Sequence, residues 1–97
     1  IFTQYLTNFL AGNALDIGCG KGKNAVFLSK NGFNVDAIDK NPENIDALKE
    51  YIQKNNIRNL NTQTIDVNNF NFEPYKYNFI IASYSLMFFK LSDLITL

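Results

Sequence analysis

Histidine is absent from the 97 residues, and cysteine occurs once, at Cys19. Without an imidazole, no histidine can serve as a general base in this chain. A lone thiol cannot close an internal disulfide, so the expected setting is reducing and cytoplasmic. Neither sign of charge is in excess, with nine Lys and Arg against nine Asp and Glu. The charges are interspersed, so no global field draws the chain to nucleic acid or to an anionic membrane, and neither is expected as a partner. No apolar run approaches the roughly 18 residues of a membrane span, and no signal-peptide pattern opens the sequence. Repeats, low-complexity tracts and linkers are also missing. What remains is a chain of 97 residues, 46% hydrophobic, that suits one domain with a modest core. It opens at Ile1 and stops at Leu97 inside an amphipathic segment, so residues 1–97 are expected to be a domain incomplete at its C-terminus.

The stretch that organises the rest is Leu15-Asp16-Ile17-Gly18-Cys19-Gly20-Lys21-Gly22. The apolar run from Ala14 to Ile17 enters three glycines spaced two apart, and a helical pattern, Ala25-Val26-Phe27-Leu28, follows at once. Strand, tight glycine turn and helix together bring backbone N–H groups against a ligand with no side chain between. Gly18 lets the chain leave the strand sharply, and Gly20 removes a Cβ that would collide with a bound small molecule. The helix starting near Lys23 aims its first N–H groups and its dipole at the same spot. The loop therefore reads as a cradle for a nucleoside-bearing cofactor; the alternative is an αβ connection that binds nothing.

The elements on either side follow from local signals. Ile1 to Leu10 carries Phe2, Tyr5, Leu6, Phe9 and Leu10 at helical spacing. The Lys23–Lys30 helix is expected to bury Val26, Phe27 and either Ser29 or the stem of Lys30, and to end at Asn31-Gly32, with Gly32 in the left-handed position. Phe33 to Ile38 reads as a second strand ending at Asp39, parallel to the first through a right-handed crossover. Asn41-Pro42-Glu43 combines a capping side chain, a fixed φ and an acid in the first turn, a strong helix start. Ile45, Leu48, Tyr51 and Ile52 supply its apolar face, and Asn55-Asn56 ends it. Leu60 to Ile65 alternates as an outer strand does, and Asp66 follows it. Val67 to Lys76 is a loop, and Tyr77 to Ser83 a strand apolar on both faces. Tyr84 to Phe89 is ambiguous, and Lys90 to Leu97 is helical with Ser92 as its cap.

Three carboxylates fall at comparable places: Asp16 in the first strand, Asp39 ending the second, Asp66 after the third. In an open parallel sheet, ligands sit outside the carboxyl ends of the strands. Asp39 lies 21 positions after Gly18, close to the roughly 20-residue offset of an acid that grips ribose hydroxyls. A solvated strand-end aspartate is its plainer role. Asp66 is placed to accept from the amine of a base or to serve as a turn residue, and Asp16 to tie down the N–H groups of the loop. A dinucleotide fingerprint needs a glycine where Lys23 stands, and a Walker loop needs Ser or Thr where Asn24 stands. Neither phosphate motif is met, so a nucleoside cofactor without phosphates fits better.

With these residues in place, Leu15 to Gly22 resembles the first motif of class I S-adenosylmethionine-dependent methyltransferases. Asp39 matches their ribose-binding acid, Asp66-Val67 their adenine-contacting pair, and Tyr77-Asn78-Phe79-Ile80-Ile81-Ala82 their fourth strand. Gly22-Lys23-Asn24, Asp39-Lys40-Asn41 and Leu86-Met87-Phe88-Phe89 are similar to the tellurite-resistance methyltransferases. The likeness runs from about residue 13 to 90. Asn78 departs from the acid usual before the fourth strand. The resemblance implies an α/β Rossmann-like sheet in the order 3-2-1-4, flanked by helices and cut after the fourth strand, where the family adds three more. It implies S-adenosyl-L-methionine held by Asp16, Gly18, Cys19, Gly20, Asn24, Asp39, Lys40, Asp66, Val67 and Ser83, and no metal. It implies methyl transfer to a small-molecule or oxyanion acceptor by in-line displacement, in which the enzyme mainly aligns the partners. A soft tellurium, selenium or sulfur anion needs no base. No catalytic residue is assigned; Ser83 and Tyr84 are the candidates for lining the methyl site, and Cys19 fills space. The rival expectation is a non-catalytic module that forms a homodimer through the apolar edge of its fourth strand.

Overall fold

The computed structural model describes residues 12–73 and 75–82. The expected helices over Ile1–Leu10 and Lys90–Leu97, together with Ser83 and Tyr84, lie outside the described residues. The elements in order are β1 (Asn13–Ile17), α1 (Lys23–Lys30), β2 (Asn34–Asp39), α2 (Pro42–Lys54), β3 (Leu60–Thr64), a 3-10 turn (Val67–Asn69) and β4 (Phe79–Ala82). The four strands form one sheet in the order β3-β2-β1-β4, and every neighbouring pair is parallel. This is the Rossmann-like order expected above, with the Leu60 strand at one edge.

Each helix starts and stops for a local reason. The Asn41 side chain accepts the Glu43 N–H at 2.9 Å, and Pro42 stands at the first position of α2. Both helices close with the same pair of bonds. After α1, Gly32 N–H reaches Ser29 O at 3.2 Å and Phe33 N–H reaches Leu28 O at 3.2 Å. After α2, Asn56 N–H reaches Gln53 O at 3.4 Å and Ile57 N–H reaches Ile52 O at 3.0 Å. This is the Schellman arrangement, with Gly32 (φ 92) and Asn56 (φ 54) in the left-handed position. It moves one boundary: Phe33 serves the end of α1, so β2 begins at Asn34 and runs through Asp39.

The sheet separates two apolar layers because side chains alternate along each strand. Ala14, Val35, Ala37 and Leu60 pack with Ala25, Leu28, Ile45 and Leu48 of the two helices. Leu15, Ile17, Ile38 and Ala82 face the other way, towards Ile65, Val67, Phe70, Phe72, Tyr77 and Ile80. Two expectations about helix faces change. Val26 and Phe27 are half-buried while Ala25, Leu28 and Ser29 are buried, and Lys30 is exposed; the i, i+3, i+4 stripe toward the sheet starts one residue earlier. Tyr51, expected on the apolar face of α2, is 40% exposed.

The crossover from β3 to β4 passes beneath β2 and β1. Expected as loop, it opens with the 3-10 turn, which forms because the Asp66 side chain accepts the Asn68 N–H at 2.9 Å. β4 starts two residues later than expected because Tyr77 and Asn78 are used before it. Asn78 N–H donates to Asn13 O at 2.8 Å, and Asn78 Oδ1 accepts the Asn13 N–H at 2.9 Å. The amide at position 78 thus clasps β1, while β3 stops at Thr64 and leaves Ile65 to bridge toward Asp39.

Candidate cofactor site

The loop between β1 and α1 is wound left-handed at alternate residues, with φ of 65° at Gly18, 60° at Gly20 and 90° at Gly22. Cys19 N–H donates to Ile38 O at 3.0 Å, which carries the β1–β2 ladder one step past the strand end. Gly22 N–H turns back to Cys19 O at 3.0 Å. A Cβ at Gly22 would fall on Leu48 Cδ1 and within 2.8 Å of its Cδ2. The third glycine is therefore required by α2 packing against the loop. The N-cap of α1 is Gly22, which has no side chain to cap it, and the N-terminal dipole of the helix lies at the loop.

Asp39 is the residue on which the loop rests. Its Oδ2 accepts the Gly20 N–H at 2.7 Å, and its Oδ1 accepts the Asn41 N–H at 2.9 Å. One carboxylate, 9% exposed, thus binds the glycine loop to the start of α2. Its backbone oxygen takes the Ile65 N–H at 2.9 Å, which sets the end of β3 and Asp66 beside it. The structure brings Gly18, Cys19, Gly20, Asp39 and the Asp66 strand end to the carboxyl edge of the sheet. Val67 is half-buried against the second layer, Lys40 is exposed and Asn24 is half-buried in the first turn of α1. Asp16 is wholly buried on the helix side of β1. Ser83 lies outside the described residues.

Cys19 is 3% exposed and belongs to the first apolar layer, its Sγ lying 3.5 Å from Gly20 O. Burial, then the negative charges of Asp16 and Asp39, pushes its thiol up to about 12. A neutral thiol is a space-filling group, not a nucleophile. Among the described residues no group of three or more side chains is arranged to hold a metal ion, and no helix is long and apolar enough to cross a membrane.

A second polar cluster lies on the opposite face, and sequence reading missed it. Asp36, midway along β2, accepts the Tyr77 hydroxyl at 2.6 Å and pairs with Lys76 Nζ at 3.4 Å. Burial first, and then that hydrogen bond, holds the Tyr77 hydroxyl well above its usual pKa. A hollow of about 520 Å³ opens here between β2, β3 and the crossover segment. It takes in neither the glycine loop nor Asp39, so this hollow and the convergence of sequence motifs are separate features. The available signal was a charged residue at 36 within an otherwise apolar run from Val35 to Ile38.

The family model described as "Tellurite resistance protein TehB" matches residues 6–97. The chain belongs to the TehB family. The Haemophilus influenzae protein named "Probable S-adenosyl-L-methionine-dependent methyltransferase TehB" is 38% identical over 74 residues, covering 76% of this chain and 25% of the relative. The crystal structure of Haemophilus influenzae TehB superposes with a TM-score of 0.77 at 31% identity, covering 89% of this chain and 29% of that one. A ubiquinone biosynthesis O-methyltransferase of Rickettsia bellii is 50% identical over 44 residues, covering 45% of this chain and 18% of the relative. The chain thus spans about a quarter of the length of the TehB relative it matches.

Proposed function

We propose that this chain supplies the cofactor site of an S-adenosyl-L-methionine-dependent methyltransferase acting on a small-molecule or oxyanion acceptor. The observation that carries this reading is the state of the Asp39 carboxylate. A carboxylate offers about four lone-pair positions over two oxygens. Gly20 and Asn41 each use one, on different oxygens. One position on each oxygen remains, which suits the adjacent hydroxyls of a ribose, and the two N–H bonds keep the carboxylate from rotating away. The left-handed glycine loop and the glycine-capped start of α1 suit the amino-acid end of the same molecule. Gly18, Cys19, Gly20 and Asn24 would hold that end, with Asp16 behind the loop. Asp39 and Lys40 would flank the ribose, Asp66 and Val67 the adenine, and Ser83 the methyl side. When bound, the cofactor supplies an electrophilic methyl group on sulfur; the residues of the chain orient it and exclude water. We place the chain in the cytoplasm as a single domain, consistent with the free buried thiol.

Calorimetric titration with S-adenosylhomocysteine tests the assignment. The wild-type chain is expected to bind one equivalent and to ignore NAD, and Asp39→Asn is expected to weaken binding by about tenfold or more, since charge-assisted bonds exceed neutral ones by that order. A chain that takes up no S-adenosylhomocysteine refutes the reading. A second reading rests on β4, which among the described residues pairs only with β1 and so leaves an edge. On that reading the chain self-associates through β4, and light scattering at high concentration separates the two: a monomer excludes it.

A further inference from the structure

We infer that Tyr77 and Asp36 are positioning residues for the base-binding end of the site, their hydrogen bond tethering the crossover segment that carries Asp66 and Val67. The inference rests on the reading above that those two residues face the adenine.

A crossover between parallel strands is usually a packed helix. Here, among the described residues, it holds a single 3-10 turn and no further helix before Asn78. Beyond the turn's own bonds, the described internal backbone contact is Lys76 N–H to Glu73 O at 3.3 Å. A segment so poor in local bonds takes its position from its contacts with the sheet. Phe70 and Phe72, edge to face at 5.0 Å, anchor its middle against Ile38 and its neighbours. The hollow of about 520 Å³ runs between part of the segment and β2 and β3, so packing there is incomplete.

The far end is held to β1 by Asn13, which bonds Asn78 and whose Nδ2 donates to Lys76 O at 3.0 Å, and to β2 by Asp36. Three groups converge on its carboxylate: the Tyr77 hydroxyl at 2.6 Å, Lys76 Nζ at 3.4 Å and Asn61 Nδ2 at 3.4 Å. They are unequal. The Lys76 side chain is 41% exposed and also pairs with Glu73 at 3.6 Å, so water screens it. The Tyr77 bond is short, charge-assisted and half-buried, the strongest kind of tether available here. At the near end, Ile65 is bound to Asp39 and Asp66 caps the turn. Between its two ends the segment rests, among the described residues, on the Phe70–Phe72 pair, so loosening Tyr77 leaves the turn that carries Asp66 with one brace fewer.

The test titrates S-adenosylhomocysteine into wild type, Tyr77→Phe, Asp36→Asn, Asp36→Ala, Asp66→Ala and the double variant Tyr77→Phe/Asp66→Ala, at a temperature where circular dichroism shows each folded. Tyr77→Phe keeps the ring and is expected to weaken binding by about three- to tenfold, part of what a directly ligating bond to a charge provides. Asp36→Asn keeps an oxygen acceptor without its charge and should fall between wild type and Tyr77→Phe, while Asp36→Ala should lose at least as much as Tyr77→Phe. With Asp66 already replaced, Tyr77→Phe should add nothing. Amide exchange supplies a readout free of ligand: the Asn68 and Asn69 N–H groups should exchange faster in Tyr77→Phe, with α1 unchanged. Wild-type affinity in Tyr77→Phe, or an equal loss with and without Asp66, overturns the inference, as does unchanged exchange at Asn68 and Asn69. Quickened exchange in a chain that never binds S-adenosylhomocysteine would sink the cofactor assignment and leave the tether standing.

Discussion

Gly22 offers a sharp trial of how the site is assembled. At φ 90° it occupies backbone space that a side chain rarely adopts, and the Leu48 side chain fills the place where its Cβ would go. Gly22→Ala therefore carries two separable costs. The left-handed conformation costs about 1–2 kcal/mol for a non-glycine residue. The collision costs about 1–3 kcal/mol as overpacking, because Leu48 is wholly buried and cannot swing into solvent. The sum, roughly 2–5 kcal/mol, is a large part of the stability of a small domain. Only the second cost involves Leu48. Leu48→Ala alone should destabilise by about 2–5 kcal/mol through the cavity it leaves. The double variant should then be less destabilised than the two single effects together, by about 1–3 kcal/mol, since the cavity accepts the new methyl group. Urea unfolding of the four chains measures this directly. Additivity within about 0.5 kcal/mol would refute the claim that α2 packing dictates the third glycine.

Three further outcomes follow from the same structure. Asn41→Ala removes the side chain that accepts the Glu43 N–H and should cost about 0.5–2 kcal/mol, read as a shifted urea midpoint with an unchanged slope; no shift would mean Pro42 alone starts α2. The Cys19 thiol, raised from 9.0 to about 12, stays protonated in the folded chain while the unfolded chain ionises, so its contribution is full below pH 9 and falls as pH rises toward 12. Cys19→Ala should therefore show a shallower alkaline loss of stability than wild type, and parallel curves would contradict the burial of the thiol. The same burial predicts that iodoacetamide at pH 8 labels the folded chain far more slowly than the urea-unfolded one, and equal rates would exclude it.

Much of the architecture is written in short-range signals. Asn31-Gly32 and Asn55-Asn56 end their helices because a left-handed residue followed by an apolar one completes a bonding pattern spanning only five positions. Asn41 caps α2 from two residues away. Such features can be read from a window of the sequence. The crossover from β3 to β4 cannot, since the bonds that place it join residues far apart: Tyr77 to Asp36 across 41 positions and Asn13 to Asn78 across 65. No periodicity marks a tyrosine that will meet an aspartate two strands away. The same reason hid the role of Gly22, whose neighbour Leu48 belongs to the next helix.

The candidate site divides along the same line. Its shape was legible, because alternate glycines after an apolar run permit the left-handed turns that the loop adopts at all three. What braces that shape was not. Asp39, expected to meet a ribose or solvent, also takes the Gly20 N–H from 19 residues away. Asp39 thus has a structural duty before any ligand arrives, and the two duties do not compete, since each oxygen keeps a lone pair beyond its N–H bond. A variant at Asp39 consequently alters loop and ligand together. Asp39→Ala strips both N–H groups of their acceptor, whereas Asp39→Asn keeps one oxygen and sets an amide N–H₂ against the other donor. If Asp39 only braced the loop, affinity across these variants would track the loss of folding stability. If it also holds ribose hydroxyls, Asp39→Asn must lose more affinity than its folding loss explains, and that excess measures the ligand's share of the carboxylate.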